Sequence, residues 1–429
     1  MAPVTRFAIF LLLAACTLTA QTAKDGSADP VFSEIPFDQW LSQGDQSHMR
    51  WTVRLSEPQL STHQRFVTEV SVQVDGDELA RRRGKGQFLV LVQVTDEKGR
   101  VWQNHQEMDL EHMEEGMKTN NAVFSQLLFV LPGDYRVSIA TFANATGEHS
   151  ALQRKLHISP LKKDPLPGAW RDLPAVEFLP PSMLPDSWYL PSIEGKLRLP
   201  VRTHEPVHVD LIVNLTPSEQ LTGSTGVQNR NLGVLLPVTK VLAQVDWGNA
   251  TFSLALLDLA RRRVTYQENG GGLDWSKAAG SLSEVNPGLI DVKSLEQRQF
   301  SAQFFVDEIG RRIGSAKGPA PGGSRVLIVL SSLVRFASGQ ELRPIALDAP
   351  TGTKVFYIRY RPAPRIIVGR PVDPDLRRRR ADDLRADLMS RFDQLEPLLK
   401  PLDPRLFDVS TPEQFRKALA TILGEIEKL

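Results

Sequence analysis

Between residues 159 and 197 the chain stops being able to form ordinary secondary structure. SPLKKDPLPGAW and DLPAVEFLPPSMLPDSWYLP are dense in Pro. Each Pro lacks an N–H and fixes φ, so neither a helix nor a central strand can run through them. Yet Trp170, Phe178, Leu179, Met183, Trp188, Tyr189 and Leu190 make the stretch too apolar for a free linker. The expectation is a semi-extended strap that packs across the surface of the domain after it. The chain of 429 residues is long enough for two to three domains, and the strap divides it.

Before the strap, over 47–158, the apolar residues recur with period two. MRWTVRLSE, RFVTEVSVQV, QFLVLVQVTD, GRVWQNHQ, FSQLLFVLP, YRVSIATFA and LQRKLHIS read as strands, with DGDE, DEKG, PGD and NATGE as turns. This pattern predicts an antiparallel β-sandwich. Leu131-Pro132-Gly133-Asp134-Tyr135 resembles the corner that opens a late strand in immunoglobulin-like (Ig-like) domains, where a Tyr hydroxyl bonds back to the backbone. A plain Pro-Gly turn before an aromatic strand residue is the simpler reading, and both give a sandwich.

After the strap, over 198–365, strands alternate with helices. VHVDLIVNL, ATFSLALLDL, RRVTYQE, RVLIVLSS and KVFYIRYRP read as strands, while LGVLLPVTKVLAQV and QFSAQFFVDEIGRRIG have helical spacing. Such alternation predicts an α/β domain with a largely parallel, doubly wound, Rossmann-like sheet. The remainder, 366–429, reads as a helical tail. Its last helix starts at a capping box, Thr411-Pro412-Glu413-Gln414, and carries one apolar stripe of Phe415, Leu419, Ile422, Leu423 and Ile426. That stripe is expected to pack on the α/β domain, with a docking helix for a partner as the alternative.

The N-terminus carries a short apolar core, FAIFLLLAA, and then small residues up to Ala20. Residues 1–20 read as a secretory signal peptide, and 21–46 as a polar tether. No later apolar run is long enough to make a transmembrane helix. Cys16, the single cysteine, lies in Leu13-Ala14-Ala15-Cys16, which resembles the bacterial lipobox. Either Cys16 is lipidated and attaches the chain to a membrane, or cleavage simply follows Ala20. Both readings place the protein outside the cytoplasm of a bacterium, secreted, periplasmic or lipid-anchored to the cell envelope.

The element order over 205–362 resembles a von Willebrand factor A-type domain, and the sandwich before it resembles the secreted acidobacterial branch of that family. In the family, a D-x-S-x-S loop after the first strand, a Thr and a further Asp hold Mg²⁺ or Mn²⁺. The matching positions here are Asn214, Thr216 and Ser218, and the last loop falls on Leu330-Ser331-Ser332-Leu333. Both family carboxylates are therefore missing, and no Thr lies in 268–295. The resemblance implies a degenerate site in which no metal is expected. If one binds weakly, its ligands are Asn214, Thr216, Ser218 and Ser332. Asn214, Thr216, Ser218, Ser331 and Ser332 still form a candidate partner-binding rim, because ligands of open α/β sheets sit beyond the carboxyl ends of the strands.

All 8 histidines precede residue 209, and none sits in a metal-binding spacing. His204 and His208 read as a solvent-facing pair on a strand. No G-x-S-x-G and no G-x-x-x-x-G-K-[ST] occurs. The net charge of +1 gives no field for nucleic acid, and Arg377–Arg380 is interleaved with acids as a solvated helix face would be. The expected function is non-enzymatic protein binding, adhesion or envelope scaffolding, with an unidentified protein partner in the envelope and no catalytic residues or cofactor. The alternatives are Mg- or Mn-dependent adhesion and an enzyme with a carboxylate-only site.

Overall fold

The computed structural model describes residues 26–84, 86–111, 113, 118, 120–179, 193–216, 225–269, 274–282, 298–314, 323–336, 353–361 and 393–429. Residues 1–20, read from the sequence as a signal peptide, with Cys16 among them, and Ser218 and Arg377–Arg380 lie outside the described residues.

The first half is built of helix α1 (Phe37–Ser42), strands β1 (Gln46–Ser47), β2 (Trp51–Leu55), β3 (Gln59–Leu60) and β4 (Phe66–Val74), helix α2 (Gly76–Ala80), and strands β5 (Gln87–Asp96), β6 (Val101–Asp109), β7 (Ala122–Val130), β8 (Gly133–Ala143), β9 (Glu148–Ile158) and β10 (Val176–Phe178). They form two antiparallel sheets, β1-β9-β8-β5-β6 and β10-β7-β4-β2, with β3 also paired to β4. Inward residues of both sheets, among them Val70, Val72, Val90, Val92, Leu128, Val137 and Ile139, share one core. The period-two pattern read from the sequence is this alternation, which is complete along β4.

Strand β5 departs from it, being buried on both faces over Phe88–Val94. The reason lies in the segment read as a tether. Phe32, Phe37 and Trp40 are buried against Leu89, Leu91, Ala140 and Ala151 on the outer face of the first sheet. Asp29 meets His105 of β6 at 2.5 Å, and Trp40 stacks on His149 of β9 with ring centroids 4.3 Å apart. Residues 29–42 are therefore a packed cover and not a free tether. Their few apolar side chains are spread among polar ones, so the stretch reads as loop although Phe32, Phe37 and Trp40 are buried. DGDE, read as a turn, likewise opens α2, with Asp75 accepting from the Asp77 amide.

The Tyr135 hydroxyl donates to the Leu131 carbonyl at 3.0 Å and approaches that of Ala175 at 3.4 Å. Gly133 makes this corner with φ of +153°, its α-carbon facing the Tyr135 ring. Burial pushes the Tyr135 phenol up to about 12, with the nearby Asp96 charge adding to it. The strap then joins both halves. Val176–Phe178 pairs with β7, while Ala169, Leu173, Leu197 and Leu199 enter the core of the second half.

The second half continues with β11 (Val207–Asn214), α3 (Thr225–Ala243), β12 (Thr251–Asp258), β13 (Arg263–Asn269), α4 (Trp275–Leu282), α5 (Ser301–Gly314), β14 (Ser324–Ser332), β15 (Thr353–Tyr360), α6 (Leu395–Leu399), β16 (Arg405–Val409) and α7 (Pro412–Ile426). One sheet has the order β13-β12-β11-β14-β15-β16, parallel except for the antiparallel edge strand β13. Numbered from β11, this is the doubly wound order 3-2-1-4-5-6. Helices α3 and α7 cover one face, and α5 and α6 the other. Strands buried on both faces need continuous apolar runs, which is what β11, β12 and β14 supply.

The tail needs correcting in one respect: Arg405–Val409 is a parallel edge strand paired with β15, not helix. Its last helix behaves as its pattern predicts. Thr411 and Gln414 form the capping box, and Phe415, Leu419, Ile422 and Ile426 are buried in the same chain's α/β core.

Candidate partner-binding rim

Strand β11 sits between β12 and β14, so the order of the sheet reverses at its flank. Residues at its carboxyl end stand where doubly wound sheets place ligands. Asn214 and Ser331 are direct register partners there, on β11 and β14. The Asn214 Nδ2 donates to Ser331 Oγ at 3.0 Å, and its Oδ1 accepts from the Thr216 amide at 3.0 Å. The second bond is a local side-chain turn of the kind Asn favours. Thr216 Oγ1 in turn accepts from the Leu259 amide at 2.5 Å, tying the loop to the end of β12. Ser331 Oγ donates to the Ser332 carbonyl at 2.6 Å. Asn214 and Ser331 are fully buried, and Ser332 Oγ is buried without a hydrogen-bond partner. The structure thus brings together Asn214, Thr216, Ser331 and Ser332.

Three residues that sequence reasoning missed complete the rim. Tyr357 and Arg359 leave β15 on the same face, two residues apart. The Tyr357 hydroxyl donates to Asp393 Oδ2 at 2.7 Å, while Asp393 Oδ1 accepts from the amides of Val334 and Leu395 at 3.2 and 3.3 Å. Burial raises the Asp393 carboxyl above its ordinary value, although Tyr357, the two amides and Arg359 pull the other way. Arg359 binds Glu396 at 2.6 Å and Asp408 at 2.7 Å and stands 3.7 Å from Asp393. The signal was the polar pair at alternate positions of the otherwise apolar KVFYIRYRP. Asp393 lay hidden in a charged stretch.

At the opposite, amino end of the sheet, His208 is not a simple solvent-facing residue. It lies 3.3 Å from Asp210 and 2.6 Å from Thr251 Oγ1, and His204 precedes the strand. Ser253 and Arg312 also reach Asp210, which is buried. Burial alone would raise the Asp210 carboxyl, but the bonds from His208 and Ser253 outweigh it and hold it below its ordinary value. The acid stands two residues from His208 on the same strand face, a spacing legible in the sequence.

Among the described residues, no group of three His, Cys, Asp or Glu side chains is placed to hold a metal ion, and no helix is long and apolar enough to cross a membrane. No family model matches the chain, and no curated protein matches it. Among solved structures, a putative ApaA protein from Bordetella pertussis is similar at 12% identity, covering 27% of this chain and 97% of that one, with a TM-score of 0.18. A beta-glucosidase from Listeria innocua in complex with isofagomine is similar at 12% identity, covering 27% of this chain and 17% of that one, with a TM-score of 0.17. At such scores neither carries an argument about this protein.

Proposed function

We propose that the chain is an extracytoplasmic, non-enzymatic protein-binding molecule, serving adhesion or envelope scaffolding through an Ig-like sandwich and an A-type domain that works without a metal. The 3-2-1-4-5-6 sheet order supports the A-type reading, and the Tyr135 corner supports the Ig-like one. The observation that carries the mechanism is Asn214. Both ends of its amide are used by Ser331 and Thr216, where the family places a carboxylate on a cation. Hard divalent cations need several free oxygen ligands with negative charge. Here the Thr216 hydroxyl is taken by Leu259, Asp258 is paired with Arg261 at 2.9 Å, and Asp393 is held by Tyr357. The donor set does not fit Mg²⁺ or Mn²⁺. Hydrogen bonds keep the loop in shape, and because Asn214, Thr216, Ser331 and Ser332 are themselves buried, the partner meets the surface around them rather than these side chains.

The test is thermal unfolding of residues 21–429 in EDTA and then in millimolar Mg²⁺ or Mn²⁺. A ligand at 100 times its Kd would stabilise by about 2.7 kcal/mol, a visible shift in Tm. No shift is expected. A shift that disappears in Asn214→Ala would replace this mechanism with metal-dependent adhesion.

A further inference from the structure

A groove of about 480 Å³ lies over the first sheet, on the far side of the sandwich core, away from the rim. Strand register sets its floor. Thr95 on β5, Arg136 on β8 and Lys155 on β9 stand in one row across the strands, and Gln93, Ser138 and Gln153 form the next. The row beyond, Leu91, Ala140 and Ala151, is covered by Phe37 and Trp40. The outer face is therefore roofed at one end and open and polar at the other.

Two observations give the open end a ligand. The first is charge. Arg136 and Lys155 are directly opposite each other and exposed. Like charges in that position repel and weaken the pair. Neither has an ion-pair partner among the described residues. Other charges lining the groove are committed: Asp96 to Arg100 at 2.6 Å, Asp134 to His157 at 2.7 Å and Arg154 to Asp45 at 3.2 Å. Glu97 is the remaining acid of the lining. The second is a strand edge. β1 pairs with β9 only at Ser150 and Ala151, so from Leu152 to Ile158 the edge of β9 away from β8 has no strand neighbour among the described residues. The Gln153 amide points outward, to Asp45 at 3.1 Å, and the amides of Lys155 and His157 share its direction by strand alternation.

We propose that an acidic, extended segment of a partner protein adds to the open β9 edge and sets a carboxylate beside Lys155 and Arg136. Main-chain bonds to the edge supply affinity, and the cation row selects the side chain, as in other strand-addition complexes. A free phosphate would use the cations but leave the Lys155 and His157 amides unanswered, so this part of the edge, beyond the Gln153 amide that Asp45 already takes, favours a peptide. The site is independent of the rim, and failure of either leaves the other standing.

The experiment is fluorescence anisotropy of a labelled peptide alternating Thr and Glu, titrated with the protein of residues 21–429 at low salt. Saturable binding is expected, weakening as salt rises. Lys155→Glu should weaken it at least tenfold while raising the Tm, because the opposed cations are gone and the exposed site still folds. Absence of binding, equal binding by wild type and Lys155→Glu, or binding of tripolyphosphate without the peptide would each overturn the proposal.

Discussion

A buried amide with both ends bonded is hard to replace. Asn214→Ala leaves Ser331 Oγ without its donor and the Thr216 amide without its acceptor, both buried. Each orphaned group costs about 1–3 kcal/mol, so the variant should unfold at visibly lower urea with the slope unchanged. Two buried acids should respond to pH in opposite senses. Asp210 is held below its ordinary value, so its contribution is present above pH ~3.9 and is lost as pH falls through its folded value. Asp393 is raised, so its contribution is present below pH ~3.9 and is lost as pH rises through its folded value. Asp210→Asn should therefore flatten the acid limb of a stability profile. Asp393→Asn should gain on wild type at neutral pH, and the gain should vanish in acid. Chemical denaturation between pH 3 and 8 reads both, and a common direction for the two variants would refute the assignment.

Elements were legible wherever burial leaves a period. β4 alternates and is buried on one face, β11 and β14 run apolar because both faces are covered, and α5 and α7 repeat at helical spacing. The misses share a physical cause. β16 sits at a sheet edge with Arg405 and Leu406 exposed, so RLFDV carries no run of buried residues. The cover over residues 29–42 buries isolated side chains from an irregular backbone, which has no period to read. At the rim, Asn214, Thr216 and Ser331 could be placed by their position at strand ends, whereas Asp393 reaches them only through tertiary packing from more than fifty residues away. The capping box is the element-scale feature with the clearest test. Thr411 accepts from the Gln414 amide, and the Gln414 side chain returns to the Thr411 amide at 3.2 Å. Thr411→Ala should cost about 0.5–2 kcal/mol, read by denaturation, with α7 still docked.

At the scale of the whole molecule, α7 does more than close the second core. Arg416 on its buried face grips Asp164 of the strap at 2.6 and 2.8 Å, bonds the Leu166 carbonyl at 2.8 Å and lies 4.5 Å from the centre of the Trp170 ring. The Trp170 Nε1 donates to the Gln64 carbonyl at 2.7 Å, and the Gln64 side chain donates to the Pro412 carbonyl at 3.1 Å. Sandwich, strap and last helix thus close a loop of contacts. Burial would raise the Asp164 carboxyl, but Arg416 and the Leu166 amide outweigh it and hold it low, so the clasp is sound above pH ~3.9 and weakens in acid. Removing one member of a buried pair strands the other at a cost of about 3–5 kcal/mol. Arg416→Ala is therefore expected to separate one calorimetric transition into two, because each half keeps its own apolar core while the ion pair and ring contact that clasp them go. Asp164→Asn should have a smaller effect, since Leu166 and Trp170 still hold Arg416. A single transition, merely lowered, in Arg416→Ala would mean that the apolar strap residues Ala169, Leu173 and Leu197 couple the halves without the ion pair.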